Sequence, residues 1–393
     1  MTSTTGSRRM SRAEVIERAR SIAGAVAPQV ERAEKLRRMP PENVKAMMES
    51  GLMPLMRPAR FGGFGGDWLD LINVCSEVGR VCGSTAWCLS FLLHHQWIFA
   101  YFPDAAQKCV FGTAPDPKFV VSFAPVGKVR PVAGGWELSG EWPWGSGGDH
   151  CDWGMVIALV PGPAGDQLQA RMFLLLPGQF HMRDVWHSVG LKGSGTNNIV
   201  VDPIFVPAEY TLDLQQARDG TAPGCSLDDG VLFRSSLTAQ TWIGILAPLL
   251  GVARGACDAF IGYTRTKIST FGEKVAEGGP MQIAIGESLA ELDAAFALAE
   301  RVNEVLFAEQ PITLQHRVRH RCNATAASRL ALRAVDRLFD LGGAQGLTET
   351  GALQRHWRDA HAMAHHYGFN GISLQNSGRL SLGLGMTPGD ALY

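Results

Sequence analysis

Several of the usual signposts of function are missing from this 393-residue sequence. Its eight cysteines (Cys75, Cys82, Cys88, Cys109, Cys151, Cys225, Cys257 and Cys322) form no C-x-x-C pair and lack zinc-site spacing, so no metal is expected. No apolar leader is visible in MTSTTGSRRMSR; residues 1–10 read as a loose tail, and the cysteines as reduced thiols of a cytoplasmic chain. Charge of one sign is also lacking. The 36 Lys and Arg against 37 Asp and Glu leave a net charge of −1, which offers no footprint for nucleic acid or an anionic membrane. The most apolar run, 87–102, is interrupted by His94, His95 and Gln96 and is too short and polar to span a bilayer. No G-x-G-x-x-G or phosphate-loop pattern occurs, which removes the common dinucleotide and nucleotide folds. WGSGG around Ser146 carries Trp144 where a nucleophile elbow needs glycine, so a hydrolase triad is not expected.

What is present falls into three regions. From 11 to 117 the pattern is helical: Ser11 with Glu14 makes a capping box, and Val15, Ala19, Ile22 and Val26 follow at helical spacing. Pro40–Pro41 start a helix that Gly51 stops, 60–66 is a glycine-rich loop, and two very apolar helices meet near 82–84. From 118 to 210 short apolar runs (FVVSFAP, MVIALVP, MFLLLP, NIVVDPIFVP) alternate with turn residues, which predicts a small β-barrel or sandwich. From 228 to 393 the helical period returns, with breaks near 343–351 and a last helix from 353 to 366. The fold class is α+β: helical domain, central β domain, C-terminal helical bundle.

The least strand-like sequence is LSGEWPWGSGGDHCDW (138–153). Tryptophan planes beside a small hydroxyl and bare glycine backbone suit a flat, polar-edged heterocycle such as a flavin; a sheet corner filled by tryptophans is the alternative. The last helix carries His356, His361, His365 and His366. His361 and His365 share a face, but HAMAH lacks the glutamate of a zincin motif and no third ligand is spaced for a metal. An acid–base or hydrogen-bonding histidine fits better.

Taken together, RFGG (60–63), GSTAW (83–87), HQWIFAYFP (95–103), the 138–153 stretch, GLKGSGTNNIVVDPIFVP (190–207), LGVARGACDAF (250–260) and RDAHAMAHH (358–366) resemble a known family. It is that of the flavin-dependent monooxygenases built on the acyl-CoA dehydrogenase fold, the oxygenase components of two-component systems, similar to the hydroxyphenylacetate and secosteroid-phenol hydroxylases. The resemblance runs from about 12 to 380. It implies reduced flavin (FMNH2 or FADH2) from a separate NAD(P)H:flavin reductase, addition of O2 to give a C4a-hydroperoxyflavin, and hydroxylation of an aromatic or similar electron-rich small molecule. It also implies a homotetramer. Trp144 and Ser146 match the element against the isoalloxazine ring, and Ser122 and Phe123 the strand lining its other side. Arg265, with Lys267 as the alternative, matches a phosphate-binding segment commonly lent to a neighbouring subunit. His366, with His365 as the alternative, matches the histidine near C4a, and His95 that on the substrate side. Trp97, Phe233 and Phe369 are candidates for apolar pocket walls. N- or S-oxygenation is the variant chemistry. An acyl-CoA dehydrogenase is the rival on the same fold, but its carboxylate base is missing from HHYGFNGIS (365–373); Glu287 and Glu291 are the remaining candidates.

Overall fold

The computed structural model describes residues 9–387 except 163–166, 229, 234 and 307–311. The expected capping box starts α1 (Arg12–Val26), with α2 (Val30–Leu36) and α3 (Pro41–Glu49) following. A second box, Asp67 with Asp70, starts α4 (Trp68–Gly79). Both carboxylates also receive Arg12, at 2.8 and 3.0 Å, so the cap ties α1 to α4. The next helix, α5 (Gly83–Phe99), is apolar on every face and buries all but one of its 17 residues. Such a helix belongs inside a bundle. The short α6 (Asp104–Phe111), which no sequence expectation covered, makes about two amphipathic turns behind Pro103.

The β region is one seven-stranded sheet in the order β5-β6-β2-β1-β3-β4-β7. Its strands are β1 (Phe119–Val132), β2 (Gly135–Gly145), β3 (Trp153–Pro161), β4 (Leu168–Leu175), β5 (His181–Arg183), β6 (Asn197–Pro207) and β7 (Thr211–Asp213). Long β1 belongs to both halves: 119–122 run parallel to β3, and 128–132 antiparallel to β2. Between them the ladder breaks and the sheet folds over its own core of Val120, Leu138, Trp142, Val156, Phe173 and Ile199. Trp142 is the wedge at the fold: fully buried, it donates Nε1–H to the Ile157 carbonyl at 2.7 Å. This is a packing role.

After α7 (Leu214–Asp219) comes the bundle: α8 (Leu237–Thr266), α9 (Gly279–Leu306), α10 (Leu314–Leu341), a single turn α11 (Gly343–Gly346), and α12 (Ala352–Ala364). By length and composition α8 could cross a membrane, but 83% of its most apolar window is buried within the fold. It packs on α4 through bare backbone, for a Cβ on Gly251 would lie 2.6 Å from the Ser76 carbonyl. A last helix, α13 (Ile372–Ser381), packs on α10; residues 388–393 lie outside the described part.

Candidate active site

Three separate segments meet at one corner. The first is the end of β2. Trp144 has φ 67°, a left-handed backbone that costs a bulky residue free energy, and its ring stands 64% exposed. The Ser122 hydroxyl helps hold this shape by donating to the Pro143 carbonyl at 2.7 Å. Phe123 follows it in the gap where β1 leaves the ladder. Two residues past Trp144, Ser146 accepts Trp87 Nε1–H at 3.0 Å and lies 2.9 Å from Thr196 Oγ1.

The second segment is one face of α5, where Trp87, Phe91 and His95 recur every four residues. Phe91 lies edge-on to Trp87 at 4.8 Å, stacks on His95 at 5.1 Å, and tilts against His94 at 5.4 Å. The third is the end of α12, where the His366 ring sits 6.0 Å from Trp87 and 4.6 Å from Tyr367. Bare backbone on α8 seats α5 beside it: a Cβ on Gly244 would lie 2.6 Å from His94 Nδ1.

Burial sets the charge state of this corner. It drives the His94 and His366 imidazoles down to about 4, and His95 well below its ordinary value; the His94 ring adds to the penalty on His95 and His366. All three are therefore neutral near pH 7. Their partners also place the protons. His94 Nδ1 faces the Ser90 carbonyl at 2.9 Å and His95 Nδ1 the Phe119 carbonyl at 3.0 Å, so each keeps a lone pair on Nε2. His366 Nδ1 instead accepts the Gly368 N–H at 3.1 Å, which leaves its proton on Nε2. The corner thus offers one imidazole donor and two imidazole acceptors, none of them charged.

The comparisons with known proteins agree on one family. Residues 9–110 match the family Acyl-CoA dehydrogenase, N-terminal domain, and 243–371 the family Acyl-CoA dehydrogenase, C-terminal domain. The oxygenase subunit HsaA of a flavin-dependent monooxygenase from Rhodococcus jostii is 32% identical over 88% of this chain and 92% of its own length. The oxygenase component of an FADH2-dependent resorcinol hydroxylase from a Rhizobium strain is 30% identical, over 91% and 90%. The crystal structure of 3-HSA hydroxylase from Rhodococcus sp. RHA1 superposes with a TM-score of 0.91 at 30% identity, covering 97% of this chain and 99% of that one. The chain belongs to the flavin-dependent monooxygenases, as an oxygenase component.

Its histidines and acids can be sorted on that basis. His361 is paired with Asp336 at 2.8 Å and packed on Trp357, and His365 Nδ1 bonds the His361 carbonyl, so both belong to the outer side of α12. The rival carboxylates sit in an arginine cluster: Glu291 holds Arg333 and Arg337 at 2.6 and 2.8 Å, and Glu287 holds Arg337 at 3.2 Å. Among the described residues no carboxylate bonds to the histidine corner. Trp97 and Phe233 lie elsewhere: Phe233 lines a cavity of about 510 Å³ with Arg60, Asp67 and Leu232, and Trp97 donates to the Leu232 carbonyl. Phe369 is buried just past His366. Arg265 is exposed near the end of α8, 21 residues beyond Gly244. At 1.5 Å per residue that is roughly 30 Å along the axis, so the oxygenase does not bring it to its own corner. Lys267 lies against the Tyr263 ring at 4.6 Å. Trp87, Phe91 and Thr196 join the corner without a sequence expectation, although the four-residue spacing of Trp87, Phe91 and His95 is present in the sequence.

Proposed function

We propose that this oxygenase hydroxylates a phenol-like aromatic small molecule, using FMNH2 or FADH2 from a separate NAD(P)H:flavin reductase, and O2. The observation that carries the reading is the neutral corner of Ser146, His366 and His95 closed in by Trp87 and Phe91. Its parts suit the flavin. Trp144 offers an exposed plane, Ser146 a hydroxyl two residues further on, and Phe123 an apolar side chain from the gap in the β1 ladder. XiaF from Streptomyces, 26% identical and with a TM-score of 0.87, has been solved in complex with FADH2.

Bound reduced flavin supplies the activated oxygen. The protein supplies position and protons. His366, neutral with its proton on Nε2, donates a hydrogen bond toward the reacting oxygen without introducing a charge. His95 Nε2 accepts a hydrogen bond from the substrate hydroxyl, which makes the ring more electron-rich. The apolar walls keep water from the pocket and so suppress wasteful release of H2O2. Ser122 acts through the shape it gives Pro143 and Trp144.

Arg265 serves the flavin phosphate of a neighbouring subunit, because roughly 30 Å of helix keeps it from its own ring. A homotetramer built through the bundle supports this: Phe271, Ile283 and Leu289 stand exposed there, Phe271 at 92%. All eight cysteines are free thiols, which suits the cytoplasm.

The test mixes anaerobically reduced flavin and protein with O2 in a stopped flow, with a panel of phenols. Oxygen consumption coupled to a hydroxylated product is expected. Reduction of bound oxidised FAD by an acyl-CoA, with no hydroxylation, would sink the reading.

A further inference from the structure

Ser146 does not stand alone: it ends a row of buried oxygens whose protons can be counted. Its Oγ lies 2.9 Å from Thr196 Oγ1, which lies 2.7 Å from Ser194 Oγ, which lies 2.8 Å from the Leu191 carbonyl oxygen. Two oxygens this close need a proton between them; otherwise lone pair faces lone pair. The row has three contacts and three hydroxyl protons, and the carbonyl at its end has none to give. One assignment satisfies every contact. Ser194 donates to Leu191, Thr196 to Ser194, and Ser146 to Thr196.

The far end is anchored. Leu191 sits at φ 52°, an unfavourable backbone for its side chain. Its N–H donates to the buried Asp359 carboxylate at 2.6 Å, and its carbonyl also receives Trp186 Nε1–H at 2.9 Å. Ser194 itself is pinned, with its carbonyl accepting Gly147 N–H at 2.8 Å. The row therefore cannot reverse without breaking contacts at a buried, proton-free terminus.

The consequence falls on Ser146. A hydroxyl has one proton and two lone pairs. Here the proton goes to Thr196 and one lone pair takes Trp87 Nε1–H. A single lone pair is left, so Ser146 meets its ligand as an acceptor only. We propose that Thr196 and Ser194 are positioning residues that lock the Ser146 proton away from the flavin, so that the site prefers the reduced cofactor. N5 of a reduced flavin carries hydrogen and can donate to that lone pair, whereas N5 of the oxidised ring presents a lone pair and is repelled. This rests on the placement of Ser146 against the flavin edge proposed above. Selection of reduced over oxidised flavin matters to a protein that receives its cofactor from solution.

The experiment measures dissociation constants of oxidised and anaerobically reduced FMN and FAD by fluorescence or absorbance titration, with no turnover. Wild-type protein should bind the reduced form more tightly. Thr196→Val and, independently, Ser194→Ala free the Ser146 proton to reach oxidised N5. Each should tighten oxidised flavin about tenfold, one ordinary hydrogen bond, and leave reduced flavin nearly unchanged. Thr196→Ser should keep the wild-type ratio. Ser146→Ala should weaken reduced flavin specifically. If Ser146→Ala leaves both constants unchanged, the placement of Ser146 is wrong and the proposal falls with it. If Ser146→Ala acts as expected but neither Ser194→Ala nor a folded Thr196→Val alters the ratio, the relay alone is overturned.

Discussion

At the scale of single residues, neutrality decides what each histidine can do. His366 holds its proton on Nε2 and is uncharged well below pH 7. His366→Ala should therefore lower product formation by about 10²-fold, the scale of a lost general acid or hydrogen-bond donor, while H2O2 release rises. The check is the ratio of hydroxylated product to H2O2 per O2 consumed; an unchanged ratio would remove His366 from the chemistry. Gly244→Ala tests how the rings are seated. The new Cβ would come within 2.6 Å of His94 Nδ1, and the ring must leave the Ser90 carbonyl to make room. A loss of about 1–3 kcal/mol is expected, as for other overpacked cores, read from the midpoint of urea unfolding.

At the scale of elements, the loop from Leu191 to Thr196 is held by a helix far away in sequence. Asp359 on α12 accepts the Leu191 N–H, and its burial raises its carboxyl to about 6. Asp359→Leu leaves that N–H unsatisfied, at a cost of about 1–3 kcal/mol. It should also loosen the loop, which hydrogen exchange at 191–196 would report. Helix starts were legible because capping boxes are local: Ser11 with Glu14 formed as expected. The fold of β1 was not. Its ladder breaks between Ser122 and Gly127 because Trp142, fifteen residues later, needs the space above Gly127, and no local pattern in FVVSFAP records that.

At the scale of the molecule, burial of neutral histidines makes stability depend on pH with a definite sign. His94, His320, His356 and His366 resist protonation until about pH 4, whereas an unfolded histidine takes its proton near 6.5. Unfolding therefore binds protons between these values. The stability is fully present above 6.5 and is lost as pH falls toward 4. Asp359 has the opposite sign, its contribution being lost as pH rises through about 6, but it is one group against four. At pH 5.5 each histidine should cost about 1 kcal/mol relative to pH 7.5, so the thermal midpoint should fall on acidification. An unchanged midpoint would mean that these rings take protons as readily in the native protein as in the unfolded chain. The proposed tetramer has its own test. Phe271→Asp should shift the mass in solution toward smaller species and weaken flavin binding, if a neighbour's Arg265 completes the site.

By itself the sequence determined the three-region α+β order and several helix starts. Periodicity, caps and turn residues are local properties, and the ordered motifs carried the family. Only the tertiary structure decided which side chains share the corner and where their protons lie. Trp87, Ser146, Thr196 and His366 come from four elements, joined by packing across distances the chain order does not show. A hydroxyl's direction, moreover, depends on every oxygen it touches. The acceptor role proposed for Ser146 rests on a carbonyl forty-five residues away.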